Sequence, residues 1–244
     1  MNELKFSHFY YTGRDAEKFL QGQLTVNAGK LDAEHYQATA ICDLKGRVQF
    51  GLWIKRLDTE QFSIIIAQDL AEMFQQHIKK FGAFSKAELT IASDIYPSIE
   101  HGLANFSTDI EQKVADELWQ STAIQQGQAW INHTTSHLFQ PQELRLHQRG
   151  GVDYDKGCYL GQEIVARLWF RAQPKHWLHL IAGHGDCPQP AAQLNKDVQV
   201  VNSVINADNQ WLALVVAKPE ALATLDVKIL DLPEALNGEI GRPK

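Results

Sequence analysis

Lys156-Gly157-Cys158-Tyr159-Leu160-Gly161-Gln162-Glu163 runs directly into Ile164-Val165-Ala166-Arg167. Eight residues combine a thiol, a cation, an acid, an amide, an aromatic and two glycines, with only Leu160 inert. Glycine removes a side chain and permits backbone angles that other residues avoid, so the segment should be bent, with Lys156 and Cys158 exposed on it. A lysine two residues from a cysteine favours thiolate over thiol if the side chains converge, and thiolate is the reactive and metal-binding form. Gln162 adds a two-way hydrogen-bonder and Glu163 a charged acceptor. A lone Cys is often just a small hydrophobe packed in the core. The density of functional groups here points instead to a site.

Working outward, further stretches carry a pattern. Asp15 to Thr25 reads as a short helix followed by a turn rich in amides, Gln21-Gly22-Gln23. Cys42-Asp43-Leu44-Lys45-Gly46-Arg47 has the composition of a hairpin turn. Lys80-Phe81, Phe84-Ser85-Lys86, Trp119 to Trp130 and Phe139 to Leu146 complete the set.

Together these stretches resemble the YgfZ-type family, folate-binding relatives of the glycine-cleavage T-protein that support iron–sulfur enzymes. KGCYLGQE matches that family's signature at seven of eight positions, Leu160 being the variable one, and the resemblance covers roughly the first 175 residues. It implies an α+β fold: a folate-binding module of two ferredoxin-like halves followed by a small C-terminal β-barrel, around a central channel. It implies tetrahydrofolate as the cofactor, and iron–sulfur assembly proteins or client iron–sulfur enzymes, including those that modify tRNA, as partners. Cys158 would be the working thiol and Lys156 its cationic neighbour. Tyr159, Gln162, Glu163 and Arg167 would shape the folate side, and Trp119 would line the pterin pocket. Two positions depart from the pattern. Gln125 is neutral where relatives often place an acid, and Arg145 stands where asparagine is usual. The alternative is an aminomethyltransferase like the T-protein, which moves a one-carbon unit to tetrahydrofolate; a thiol-centred motif and Gln125 both weigh against it.

Bulk properties narrow the classes. The chain has 244 residues, a net charge of −6 and three cysteines, Cys42, Cys158 and Cys187, without CxxC spacing. That excludes a disulfide framework or a zinc site built of cysteines, and one Cys alone cannot hold an iron–sulfur cluster. The acidic balance argues against a broad nucleic-acid surface. Residues 145–176 nevertheless carry six Lys/Arg against three acids, a local +3 that suits an anionic ligand. No apolar run approaches the ~20 residues that span a bilayer, and the first residues lack a secretory signal, so a cytoplasmic location is expected.

Periodicity predicts a strand ending near Thr12, a helix capped by Asp15, strands over 35–42, 47–57 and 62–67, a helix capped by Asp69, and a strand over 88–92. Residues 93–106 read as a linker and 109–122 as an amphipathic helix. Short strands over 177–182, 198–205, 211–217 and 225–230, broken by Gly, Pro and the polar run 206–209, suggest a barrel or barrel-like sheet. The parts are therefore placed at 1–92, 93–172 (carrying the signature) and 173–244. His133 and His137 have a zinc-compatible spacing only if helical. His147 and His176 are the sequence candidates for a base beside Cys158.

Overall fold

In Phe6–Thr12 (β1), Phe6 and His8 are buried on one face and Phe9 and Tyr11 on the other, so the strand is covered on both faces. The computed structural model describes residues 4–172, 174–206, 210–237 and 240–241. After β1 come Ala16–Gln21 (α1), Gln37–Cys42 (β2), Val48–Arg56 (β3), Gln61–Ala67 (β4), Ala71–Phe81 (α2) and Glu88–Ile91 (β5). The five strands form one antiparallel sheet in the order β2-β3-β4-β1-β5. On α2, Phe74, His77 and Ile78 are buried, the face expected from their i, i+3, i+4 spacing.

Asp15 stands at the N-cap of α1 as predicted but makes no side-chain cap bond, and Asp69 lies in the 3₁₀ turn Gln68–Leu70 ahead of α2, whose N-cap is Leu70. Asp15 accepts from the Lys86 amide at 2.8 Å and Asp69 from the His133 amide at 3.0 Å, so each pins a distant loop. The stretch read as a linker is a hairpin, Tyr96–Glu100 (β6) with Leu103–Ser107 (β7). The helix expected over 109–122 is a single 3₁₀ turn at Ile110–Gln112 followed by Asp116–Gln125 (α3).

The signature leads into Gln162–Phe170 (α4), then Trp177–His184 (β8), Gln193–Asn195 (β9), Val198–Ile205 (β10), Gln210–Ala217 (β11) and Lys228–Leu230 (β12). Residues 207–209 of the expected polar turn lie outside those described. These strands make a second antiparallel sheet, β12-β8-β11-β10-β9, open at β12 and β9 among the described residues. Its central strand β11, QWLALVVA, is buried almost throughout, which a half-exposed strand would not be. Leu212, Leu214 and Val216 face the core shared with the first sheet and α3, whereas Trp211, Ala213, Val215 and Ala217 fill a separate cluster on the other face. Asn202 fastens the two regions: fully buried, its amide accepts from the Trp130 N–H at 3.0 Å and donates to the Trp130 carbonyl at 2.9 Å.

Candidate functional site around Cys158

Two stretches distant in sequence meet the signature, and a third leads directly into it. The first is the loop after α1. Lys156 is 6 % exposed, and its ammonium donates to the carbonyls of Gln21 at 2.7 Å, Leu24 at 2.6 Å and Val26 at 2.9 Å. Those three bonds use all three of its protons. The same loop receives the Leu160 amide on Gly22 O and offers Thr25 O to the Asp153 amide. Gln21 and Gln23 close it from the other side, on the Ala28 amide and on His77 Nε2, each at 2.8 Å.

The second stretch is the turn Asp43–Gly46. Gly161 opens α4 at φ +79°, and a Cβ there would come within 2.3 Å of Asp43 O. Gly46, at φ +70°, is met in the same way by Ile164. Asp43 stays ionised: burial raises its carboxyl, but His137 and the amides of Arg47 and Lys45 outweigh that and hold it below its ordinary range. His137 Nδ1 lies 2.9 Å from Asp43 Oδ2, and residues 133–138 form turns, so the His133/His137 pair lacks the helix its zinc spacing needs.

The third is the segment 150–155, which with Asn27, Lys30, Gln37, Trp169 and Phe170 lines a cleft of about 490 Å³. Tyr154 stacks on Trp169 with ring centroids 4.3 Å apart and planes 5° from parallel. Lys30 bonds Asp153 at 2.7 Å. Behind Trp169, His147 packs edge-on at 5.3 Å; burial pulls its pKa down to about 4, and neither ring nitrogen has a hydrogen-bond partner among the described residues. Two narrower clefts of about 140 and 30 Å³ share Ala38, Trp53 and Arg149. Of these three only the first reaches the ~300–1,000 Å³ usual for small-molecule sites, a range shared by two surface grooves of about 380 and 480 Å³ elsewhere.

Cys158 itself is exposed and has no hydrogen-bond partner among the described residues. Gly157 beside it is also exposed; a Cβ there would meet no atom within 4 Å, and its φ is not left-handed.

The expectation that Lys156 is exposed is corrected. The side chain is buried, its protons are engaged by carbonyls, and its ammonium also sits 4.8 Å from the Tyr159 ring centroid. Burial draws its pKa down to about 8, with Asp153 opposing. Tyr159 is buried beneath it, its hydroxyl pushed up by that burial. Glu163 and Arg167 are exposed on α4, and Gln162 is half-buried at its start.

Trp119 is likewise corrected. It is fully buried among Phe6, Trp53, Phe106 and Trp130, with its indole N–H on Asn105 O at 2.8 Å, so no face is open to a pterin. Neither histidine expected as a base touches Cys158. His147 lies against Trp169, and His176 pairs with Asp197 at 3.3 Å. Cys42 is fully buried, and burial pushes its thiol well up, as its place on an apolar strand implied. The cleft residues Tyr154, Trp169 and Asp153 carry no signal of their own in the sequence, although Trp169 and Tyr154 lie within eleven residues of Cys158.

No family model matches the chain. It is 27 % identical over 236 residues to an uncharacterized protein of Haemophilus influenzae, covering 83 % of each. To the tRNA-modifying protein YgfZ of Cronobacter sakazakii it is 27 % identical over 234 residues, covering 75 % of this chain and 71 % of that one. The corresponding figures for YgfZ of Escherichia fergusonii are 29 % over 224 residues, 70 % and 68 %. The chain is similar to YgfZ over most of its length. Among solved structures it superposes on the glycine cleavage system aminomethyltransferase T from Bartonella henselae with a TM-score of 0.67 at 10 % identity, covering 87 % of this chain and 76 % of that one. The fold is therefore the T-protein fold, and the YgfZ resemblance read from KGCYLGQE stands.

The two YgfZ-like signature glycines make separable predictions. Gly161→Ala should cost about 2 kcal/mol or more, because a left-handed φ and a backbone clash coincide there. Gly157→Ala meets neither obstacle and should leave the thermal midpoint unchanged.

Proposed function

We propose that this chain is a tetrahydrofolate-dependent accessory factor for the assembly or repair of iron–sulfur enzymes, including tRNA-modifying ones, working in the cytoplasm with Cys158 as its reactive group. The observation that carries the reading is an open thiol, unpartnered among the described residues, on a backbone tied down by the buried Lys156. An ordinary structural cysteine is buried, as Cys42 is. A thiol presented in this way meets a partner's cluster or sulfur rather than a small substrate enclosed in a pocket.

The cleft beside it fits folate by the chemistry of its lining. The Tyr154–Trp169 pair offers a flat aromatic wall to a heteroaromatic ring. Asp153 supplies the acid missing at Gln125, which lies exposed at the end of α3. Burial raises the Asp153 carboxyl, but Lys30 and the Asp155 amide hold it below its usual range, so it is ionised and can accept from amino groups. Lys30 offers a cation to a carboxylate tail. Tetrahydrofolate, when bound, supplies one-carbon chemistry; this chain's residues bind and orient it.

The test has two arms. In cells lacking this gene, a tRNA methylthiotransferase should lose activity and regain it from the wild-type sequence; unaffected activity overturns the accessory reading. Release of ammonia from an aminomethyl-lipoyl carrier would replace it with the transferase. In the second arm, Trp169→Leu should weaken tetrahydrofolate binding by about tenfold, as loss of one aromatic stacking partner implies. Unchanged binding would move folate out of this cleft.

A further inference from the structure

Beside Leu160 of the signature, a second groove of about 380 Å³ is lined by Leu44, Met73, His77, Phe81 and Leu160, with Lys80 at its rim. Its apolar residues stand in water: Leu44 is 79 % exposed and Phe81 45 %, and Phe84, three residues on, is 99 % exposed. Large apolar side chains clustered in this way mark interaction sites. The groove's floor is stiff. Burial keeps His77 neutral, with a pKa pulled down to about 4, and the ring is held between Gln23 Oε1 and the Phe81 ring. Gln23 belongs to the loop that Lys156 binds, so groove and signature share one support.

The rim carries a sign. Lys45, next to Leu44, and Lys79 and Lys80 are exposed and form no ion pair among the described residues. Two acids stand against these three lysines, the lining Asp43, hydrogen-bonded to His137, and the exposed Glu72, bonded to the lining Gln76, so the lysines leave a small cationic excess. The protein as a whole is acidic, at −6, so an unbalanced cationic rim here is not an average property of its surface.

From this we infer that the groove docks an acidic segment of the client protein, an apolar anchor flanked by Asp or Glu, and thereby holds the client against the signature that carries Cys158, two residues from Leu160. The inference rests on the accessory reading above, whose client it describes. Apolar anchoring supplies the affinity, and the lysines supply register and association rate.

The experiment places a photo-crosslinking residue at Gln76, an exposed lining position, and at Ile229, an exposed apolar position on β12, in the full-length protein in cells. Adducts at Gln76 should map to an acid-rich segment of a cluster-carrying enzyme and be absent at Ile229. Lys80→Glu, at an exposed side chain, should cut their yield about tenfold, the effect of like charge placed on an interface rim. Leu44→Asp provides a second variant with the same expectation. The proposal is overturned by adducts to a second copy of this chain, by adducts indifferent to both variants, or by none. Absence of adducts while the wild type still rescues the cluster enzyme refutes the groove alone. Adducts to an acid-rich segment of a protein without a cluster refute the accessory reading instead.

Discussion

Replacing Lys156 by methionine is expected to lower the stability of this protein by about 3–5 kcal/mol. Three carbonyls, those of Gln21, Leu24 and Val26, would lose the charged donor they share. Leaving one buried acceptor unsatisfied costs about 1–3 kcal/mol, and bonds from a charged donor sit at the upper end. Lys156→Arg should not rescue, because a planar guanidinium fork cannot address three carbonyls converging on one point. The measurement is urea denaturation of both variants beside the wild type. A loss below about 1 kcal/mol would mean that the ammonium is not what organises the loop, and would return Lys156 to the role of a neighbour acting on the thiol.

The second large effect is acid sensitivity. Burial pulls His77, His147 and His179 each from 6.5 down to about 4. Their folded pKa values lie below the unfolded one. The stability they protect is complete above pH ~6.5 and is lost as pH falls toward ~4, where the unfolded chain takes up protons that the folded one refuses. Each contributes roughly 2–3 kcal/mol to that loss, and three together are comparable with the whole stability of a domain, about 5–15 kcal/mol. His147 and His179 also feel Arg145, whose charge opposes a second cation. The aspartates do not compete in this window: Asp43, Asp153 and Asp197 are held below 3.8, so their contribution is lost only at lower pH. Glu143, raised by burial, opposes the trend. Thermal midpoints should therefore fall steeply between about pH 6.5 and 4.5, and His147→Phe should flatten the slope. Equal midpoints at both ends of that range would contradict the burial of neutral imidazoles.

The first sheet was legible in the sequence because its strands are short apolar runs, isoleucine-rich in β4, set off by turns such as Asp43-Leu44-Lys45-Gly46. Asp15 does sit at its helix's N-cap, but Asp69 misled, since an aspartate ahead of a helix has the same appearance whether it caps that helix or accepts from a remote amide. The hairpin β6–β7 was hidden by a proline within β6 and by mixed polarity. At the site, residue type marked Cys158 and Lys156 as special but could not say where the ammonium went. Proximity along the chain suggested thiol activation, whereas the carbonyls that hold Lys156 are contributed from more than 100 residues away. Trp119 was misread for a related reason. An indole on a helix looks the same in sequence whether it faces a ligand or, as here, four other aromatic rings.

The iron–sulfur reading of this protein turns on Cys158 as the working group, exposed on a backbone that Lys156 fixes. The sharpest check assays a tRNA methylthiotransferase in cells lacking this gene, supplied with the wild-type sequence or with Cys158→Ala. Cys158 has no hydrogen-bond partner to lose among the described residues, so the variant should fold with an unchanged thermal midpoint and yet fail to restore activity. Equal rescue by both proteins would contradict this assignment, leaving Cys158 without a role and the folate cleft as the site that remains.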